Sequence, residues 1–504
     1  MKLTFLENEY WYGGYTVDGP AMPLDNQSEK EINLTTNQSV NQAAPLLLSS
    51  KGRYIWSQNG FTAHFRQGEI FLSENAILET GHQTLRGAYL AAAKKYFPPT
   101  GTMPDRALFE QPIYNSWIEL TFYQTQEAIE QYSQTILENG LPAGVLMIDD
   151  GWSNYYGDWQ FHSGKFPHPE KMLKKLHQAG FKVMLWICPF ITADTVAYRD
   201  ALAKDLLVKR PDGEAYIIHW WNGHSALLDM TNPASRDWLK NQLDKLQAMG
   251  VDGFKFDAGD SFFYPADALT YKKASPDQQS QAWSNFGEQY SFNEFRVTFA
   301  AGGRPLLQRL CDKNHSWDDN GISSLIPNSL AQGITGHAFT CPDMIGGGEY
   351  VNFGQASKSL DQDLFVRYAE IACLMPAMQF SAAPYRVLDE PHYNAIKKTI
   401  QIREKFIHEI LDLVEQASYT GEPVIRYMSY EFPSEPVEMI TDQFMLGPQL
   451  LVAPIVTPNQ TGRQVYLPKG HWEHKDTIID STGQYFHFEA TYGEPLVFKK
   501  IDNL

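Results

Sequence analysis

The chain has 504 residues, 43% of them hydrophobic and 20% charged, which is too long for one core and predicts two to four domains of ordinary soluble composition. Its formal charge of −18 excludes nucleic acid as a partner, because phosphate recognition needs a basic face. An acidic surface otherwise serves only to keep a protein dispersed.

Residues 1 to about 105 read as a β-sandwich. YIWSQ, TAHFRQ and EIFLSE alternate apolar with polar residues between Gly, Asn and Ser breaks. The polar stretch 25–42, DNQSEKEINLTTNQSVNQ, reads as an exposed loop or hairpin.

From 106 to 415 apolar strands alternate with amphipathic helices. Val145–Ile148 is a strand ending in Asp149 and Asp150, and the helix after it stops at Gly180. The strand Lys182–Ile187 carries Trp186 and ends in Cys188. Ala226–Leu228 reads as a further strand, ending in Asp229. Asn232 and Pro233 then open a helix as cap and first residue, and it closes at Gly250. Val251–Phe256 is a strand that ends in Asp257. Repeated βα units of this kind predict an α/β chain with a (β/α)8 TIM barrel at its centre. A doubly wound sheet is the alternative, but no glycine-rich phosphate loop follows the first strand. Residues 416–504 return to strands, MLGPQLLVAP, RQVYLPKGHW and EPLVFKK, and form a C-terminal β-domain.

The N-terminus shows no secretory h-region, and no run of about 18 apolar residues marks a membrane span. Cys188, Cys311, Cys341 and Cys373 lack metal-ligand spacing and are too few for a disulfide scaffold. A reducing, cytoplasmic setting is expected, with no membrane partner. Self-association into a homo-oligomer is left open.

Barrel enzymes work at the C-terminal ends of their strands, and here several strands end in Asp, Trp or both. One such Asp alone serves as often to cap the following helix. In Gly253-Phe-Lys-Phe-Asp257-Ala-Gly-Asp260 strand alternation puts Phe254 and Phe256 on one face, and Lys255 with Asp257 on the other. The phenylalanines suit the surrounding helices. Lys255 and Asp257 then face the barrel mouth, where a buried cation keeps a carboxylate ionised. A structural ion pair is the bland alternative.

GFKFDAGD resembles the nucleophile motif of glycoside hydrolase family 31. IDDGW, SLIPNSLAQGITGHAFTCPDMIGGG, LGPQLLVAP and VYLPKGHW resemble further stretches of that family in the same order. The resemblance covers most of the chain. It implies a retaining α-glycosidase with two carboxylates flanking the bond. Asp257 would be the nucleophile. The acid/base would be Asp312, which follows Arg296 by 16 residues (296 to 312) and precedes Ser316-Trp317. Cys311 and Lys313 stand where many members have Gly and Asn, so Asp318 and Asp319 remain rivals. By the same resemblance Asp149, Asp150, Trp117, Trp186, Trp220, Trp221, Lys255, Arg296 and Asp343 line or bind the sugar. No cofactor and no metal are implied.

HWWNG, FKFDAG, PDMIGG and LMPAMQFS resemble the α-galactosidase-like branch. Gln379 and Ser381 stand where the family's α-glucosidases carry an Arg-x-His pair. The expected substrate is therefore an α-linked galactoside or a related glycoside, with α-glucosidase or α-xylosidase activity as the alternative. An eliminating α-glucan lyase and a non-catalytic sugar-binding protein are the remaining readings.

Overall fold

The computed structural model describes residues 1–353 and 360–501. Two four-stranded antiparallel sheets open the chain. One orders Lys2–Thr4, Glu69–Leu72, Thr62–Arg66 and Lys30–Asn33; the other orders Trp11–Tyr15, Ala43–Ser49, Tyr54–Trp56 and Ile77–Glu79. Alternation decides what lies between them: Ala63 and Phe65 of Thr62–Arg66 point inward, onto a core with Trp11, Leu47, Ile55 and Ile70. This is the expected β-sandwich.

Eight parallel strands follow in chain order: β1 (Ile113–Asn115), β2 (Val145–Ile148), β3 (Lys182–Ile187), β4 (Gly253–Phe256), β5 (Phe292–Phe295), β6 (Gln308–Arg309), β7 (Thr340–Cys341) and β8 (Gln379–Phe380). β8 pairs with β1. The main-chain bonds Ala377 N–H to Thr340 O (3.1 Å) and Ile345 N–H to Gln379 O (2.8 Å) bring β7 and β8 together, so the sheet nearly closes into a barrel. β2 is buried along its whole length because a barrel strand has packed side chains on both faces. In β4 the phenylalanines turn outward, Phe254 onto Tyr290 and Phe256 onto Trp283. Gly253 is required there: a Cβ would lie 2.1 Å from the Phe292 carbonyl.

The helices α1 (Gln126–Glu138), α2 (Pro169–Gln178), α3 (Pro233–Met249), α4 (Pro276–Gly287), α5 (Leu325–Ile334), α6 (Gln362–Ala372) and α7 (Glu390–Thr420) follow β1, β2, β3, β4, β6, β7 and β8 in turn. Asn232 caps α3, its side chain accepting from Ala234 N–H, and Gly250 ends that helix with φ 116°.

Three expectations change. The strand at Ala226–Leu228 is not part of the barrel. It belongs to Gly223–Leu227, the centre of a three-stranded antiparallel sheet with Phe190–Thr192 and Ile217–Trp220, inserted between β3 and α3. A short buried apolar run has the same composition in either setting. Second, no helix joins β5 to β6. The sandwich covers that gap, Ala43 N–H donating to Thr298 O (3.0 Å) and Ala300 N–H to Ala43 O (2.8 Å). Third, the polar stretch 25–42 is only in part the exposed loop or hairpin expected. It contains the strand Lys30–Asn33, and its end is packed against the barrel with Asn37, Asn41 and Gln42 all fully buried. The amides of Asn41 and Gln42 are satisfied by barrel main chain and that of Asn37 by the Asn41 carbonyl, which is why polar residues are tolerated there.

After α7 a six-stranded sheet and the pair Gly462–Leu467 and Gln484–Glu489 enclose Met445, Leu451, Val465, Trp472 and Phe498. The Pro468-Lys469-Gly470 turn carries the chain from one sheet to the other.

Candidate active site

A cavity of about 530 Å³ opens at the C-terminal ends of the barrel strands. It is lined by Asp149, Asp150, Lys255, Asp257, Arg296 and Asp312, with Trp117, Trp186 and Trp221 on its walls. A larger groove of about 670 Å³ runs between α3 and α4 on the outer surface, with exposed lysines and amides and none of these carboxylates. The barrel-mouth cavity is the one with convergent buried acids, which chemistry requires.

Asp257 sits one residue beyond β4, its N–H bonded to the Ile187 carbonyl at 3.0 Å. Oδ1 accepts from Arg296 Nε at 3.0 Å and from Ala258 N–H at 2.8 Å; Oδ2 accepts from the Trp186 indole N–H at 3.0 Å. Burial alone would raise its pKa. The Arg296 guanidinium, then Lys255 and Arg309, overcome this and hold it well below the usual carboxylate range. Asp257 is therefore an anion fixed in one orientation.

Lys255 does face inward, but its ammonium bonds Asp149 at 2.7 Å rather than Asp257. Burial opposes its charge, and the Asp149 carboxylate, with Asp257 and Glu294, more than restores it. The direct cation on Asp257 is Arg296. That arginine, expected to bind sugar, lines the cavity, and its other bonds go to Asp260 (2.9 and 2.8 Å) and to the Val40 carbonyl (2.7 Å). Four of its five N–H groups are thereby engaged within the protein.

Asp312 projects into the cavity from the segment after β6, with its Oδ1 2.9 Å from Arg309 Nη1. The same nitrogen donates to Asp343 Oδ1 at 2.7 Å, and Arg309 Nε reaches Glu294 at 3.3 Å. Asp343 is wholly buried and takes the Lys313 and Gly348 N–H groups at 2.6 and 2.7 Å. It is expected in the sugar-binding set, but it does not line the cavity; it braces the loop carrying Asp312. Asp318 caps its own turn through Ser316 Oγ and Asn320 N–H, and Asp319 holds Ser323, so neither rival reaches the cavity.

Asp150 accepts from Tyr156 O–H (2.9 Å) and Asn222 Nδ2 (2.8 Å). Burial, with Asp149 adding to it, pushes this carboxyl up to about 6 against those hydrogen bonds. Trp221 is 53% exposed and stands at the cavity edge, with the Arg296 guanidinium 5.5 Å from its ring. Trp220 does not line the cavity. It is 3% exposed, packed on Tyr156 and Phe190, with its indole N–H on Ser225 Oγ at 3.0 Å. Trp220 ends the strand Ile217–Trp220 and Trp221 begins the turn after it; their rings touch, centroids 4.9 Å apart, with Trp221 on the cavity side. Trp117 lies on the far wall between Phe122 and Tyr350.

Sequence reading missed Glu294, Arg309, Tyr156 and the amides of Asn41 and Gln42. Asp260, also missed, lay in plain view inside GFKFDAGD; Glu294 and Arg309 sit on strands too short, Tyr156 in a turn, and Asn41 and Gln42 in a stretch too polar, to give a periodic signal.

The family model described as glycosyl hydrolases family 31 TIM-barrel domain matches residues 110–413, and the C-terminal domain of the same family matches 421–500. The chain is 34% identical over 400 residues to the myogenesis-regulating glycosidase of Mus musculus, covering 77% of this chain and 56% of that protein. It is 26% identical over 394 residues to alpha-glucosidase 2 of Bacillus thermoamyloliquefaciens, covering 73% and 49%. It spans about half the length of these curated relatives. Among solved structures, the Flavobacterium johnsoniae family 31 dextranase complexed with glucose superposes with a TM-score of 0.85 at 19% identity, over 99% of this chain and 66% of that one.

Proposed function

The chain belongs to glycosyl hydrolase family 31, and on that premise we propose that it is a retaining α-glycosidase whose preferred substrate is an α-linked galactoside. One observation carries the reading: an ionised, doubly oriented Asp257 at the base of a barrel-mouth cavity that a second carboxylate, Asp312, also enters.

Asp257 attacks the anomeric carbon as Asp312 passes its proton to the departing oxygen. A covalent glycosyl-enzyme forms. Asp312 then takes a proton from water, which displaces Asp257 from the same face the leaving group left, so the α-configuration returns. Arg296 and Trp186 hold the two carboxylate oxygens of Asp257 in place for the attack. Asp149 and Asp150 offer acceptors to the sugar hydroxyls, and Trp221 offers an apolar face.

The galactoside preference is supported by the β8 strand. Gln379 turns to Glu294 (2.6 Å) and Asn115 (3.1 Å), and Ser381 Oγ accepts from Ile118 N–H at 2.8 Å. Neither lines the cavity, and no histidine is among the described residues that do. A site built for a gluco-configured sugar through an imidazole on this strand lacks that group here. The test is kcat/KM on matched nitrophenyl α-galactoside, α-glucoside and α-xyloside with analysis of the released sugar. A glucoside or xyloside turned over as well as the galactoside overturns the preference; an unsaturated product overturns hydrolysis.

A further inference from the structure

The sandwich reaches the cavity through three consecutive residues. Val40 gives its carbonyl to Arg296, beside Asp257. Gln42 donates from one amide nitrogen to the Arg296 carbonyl (2.7 Å) and the Arg309 carbonyl (3.0 Å), stapling the ends of β5 and β6. Between them Asn41 Oδ1 accepts from Cys311 N–H at 2.7 Å, and its Nδ2 lies 3.3 Å from the Cys311 sulfur. The segment is itself anchored. Asn37 Nδ2 donates to the Asn41 carbonyl at 2.9 Å, and the Asn37 N–H donates to Asp277 of α4 at 2.9 Å.

The ladder explains why Asn41 matters. β6 is only two residues long, and its last barrel bond is Leu310 N–H to the Cys341 carbonyl at 3.0 Å. The next N–H, that of Cys311, has no strand to meet; Asn41 supplies the acceptor. On the other side of Asp312, Lys313 N–H is held by Asp343 at 2.6 Å. The main chain of Asp312 is thus suspended between two side-chain oxygens, a carboxylate on the barrel and an amide carbonyl on the sandwich.

We propose that Asn41 is a positioning residue for proton transfer: through Cys311 it fixes the turn that aims Asp312 at the departing oxygen. This rests on the assignment of Asp312 as acid and base. Displacing a catalytic group by about 1 Å costs on the order of 100-fold in rate. Such a loss falls only on steps that need the proton. A general weakening of the fold would lower all substrates alike.

The experiment compares wild type, Asn41→Ala, Asn41→Asp and Asp312→Ala on the glycosyl fluoride and the phenyl glycoside of one sugar. That sugar is the galactosyl, glucosyl or xylosyl series that the wild type turns over fastest. Fluoride departs without a proton; phenoxide needs one. Asn41→Ala is expected to lose about 10-fold or more in kcat/KM on the phenyl glycoside and less than about 3-fold on the fluoride, in the direction of Asp312→Ala. Asn41→Asp, which keeps the acceptor for Cys311 N–H, is expected to recover part of the phenyl rate. It also stands in if Asn41→Ala does not fold: it then has to fold and to favour the fluoride over the phenyl glycoside more than wild type does. Equal losses on both substrates, or none, overturn the proposal while Asp312→Ala still discriminates between them. If Asp312→Ala does not discriminate either, the assignment of Asp312 falls, and Asn41 with it.

Discussion

Arg296, at the end of β5, places its Nε 3.0 Å from the Oδ1 of Asp257, at the end of neighbouring β4. The contact is a consequence of strand order: parallel neighbours in register bring their C-terminal residues side by side. It is the largest of the interactions that hold the proposed nucleophile's pKa down against burial. Asp257→Asn removes the attacking group, and turnover is expected to fall by about 10³-fold or more. Retention of a tenth of wild-type kcat would remove Asp257 from the mechanism.

The same contact predicts a pH effect. Asp257 is held below the usual range, so it stays ionised throughout mildly acidic conditions and does not set the acid limb of the wild-type profile. Arg296→Gln takes away the first of the three cations that lower it. The acid limb of kcat/KM for a glycosyl fluoride should then move to higher pH. An unchanged limb would show that Lys255 and Arg309 suffice.

Asp312→Ala should nearly abolish cleavage of a glycoside with an alkoxide leaving group, spare an activated nitrophenyl substrate, and respond to added azide. Asp318→Ala and Asp319→Ala, whose carboxylates serve their own turns, should keep wild-type leaving-group dependence. Azide rescue in Asp319→Ala and not in Asp312→Ala would transfer the role.

Asp150 carries a stability prediction. Its folded pKa, about 6, lies above the usual value for Asp. The folded state therefore binds this proton more tightly than the unfolded chain. The group does not penalise folding below about pH 4, and its cost grows until about pH 6, so stability falls with rising pH across that window. Asp150→Asn retains an acceptor for Tyr156 and cannot ionise. It should be more stable than wild type by about 3 kcal/mol at pH 7.5 and no more stable at pH 4, as read from denaturant midpoints, while losing activity. A gain of equal size at both pH values would assign the effect to something other than ionisation.

The adjacent tryptophans should separate cleanly. Trp220→Ala opens a buried site between Tyr156 and Phe190, at a cost of about 3–5 kcal/mol. Trp221→Ala, half exposed at the cavity edge, should leave Tm nearly unchanged and raise KM. The reverse pattern would mean that the two side chains exchange faces in solution.

Much of this protein is local and so was legible in its residues. Period-two alternation in Thr62–Arg66 marked the sandwich, and caps such as Asn232 and Gly250 bounded a helix. Lys255 and Asp257 share a face because strand side chains alternate, and no tertiary information is needed to say so. What the tertiary structure alone decided is which groups meet. Lys255 was expected beside Asp257 and found its partner in Asp149, on a strand 106 residues earlier. Trp220 and Trp221 are alike in sequence, and only the inserted sheet turns one inward and one to the cavity. Asn41 read as part of a solvated loop because polar residues without a period look the same whether water or a barrel main chain satisfies them. Hydrogen bonds between segments far apart in the chain leave no periodic trace in it; they exist only once the barrel has brought the ends of its strands to one mouth.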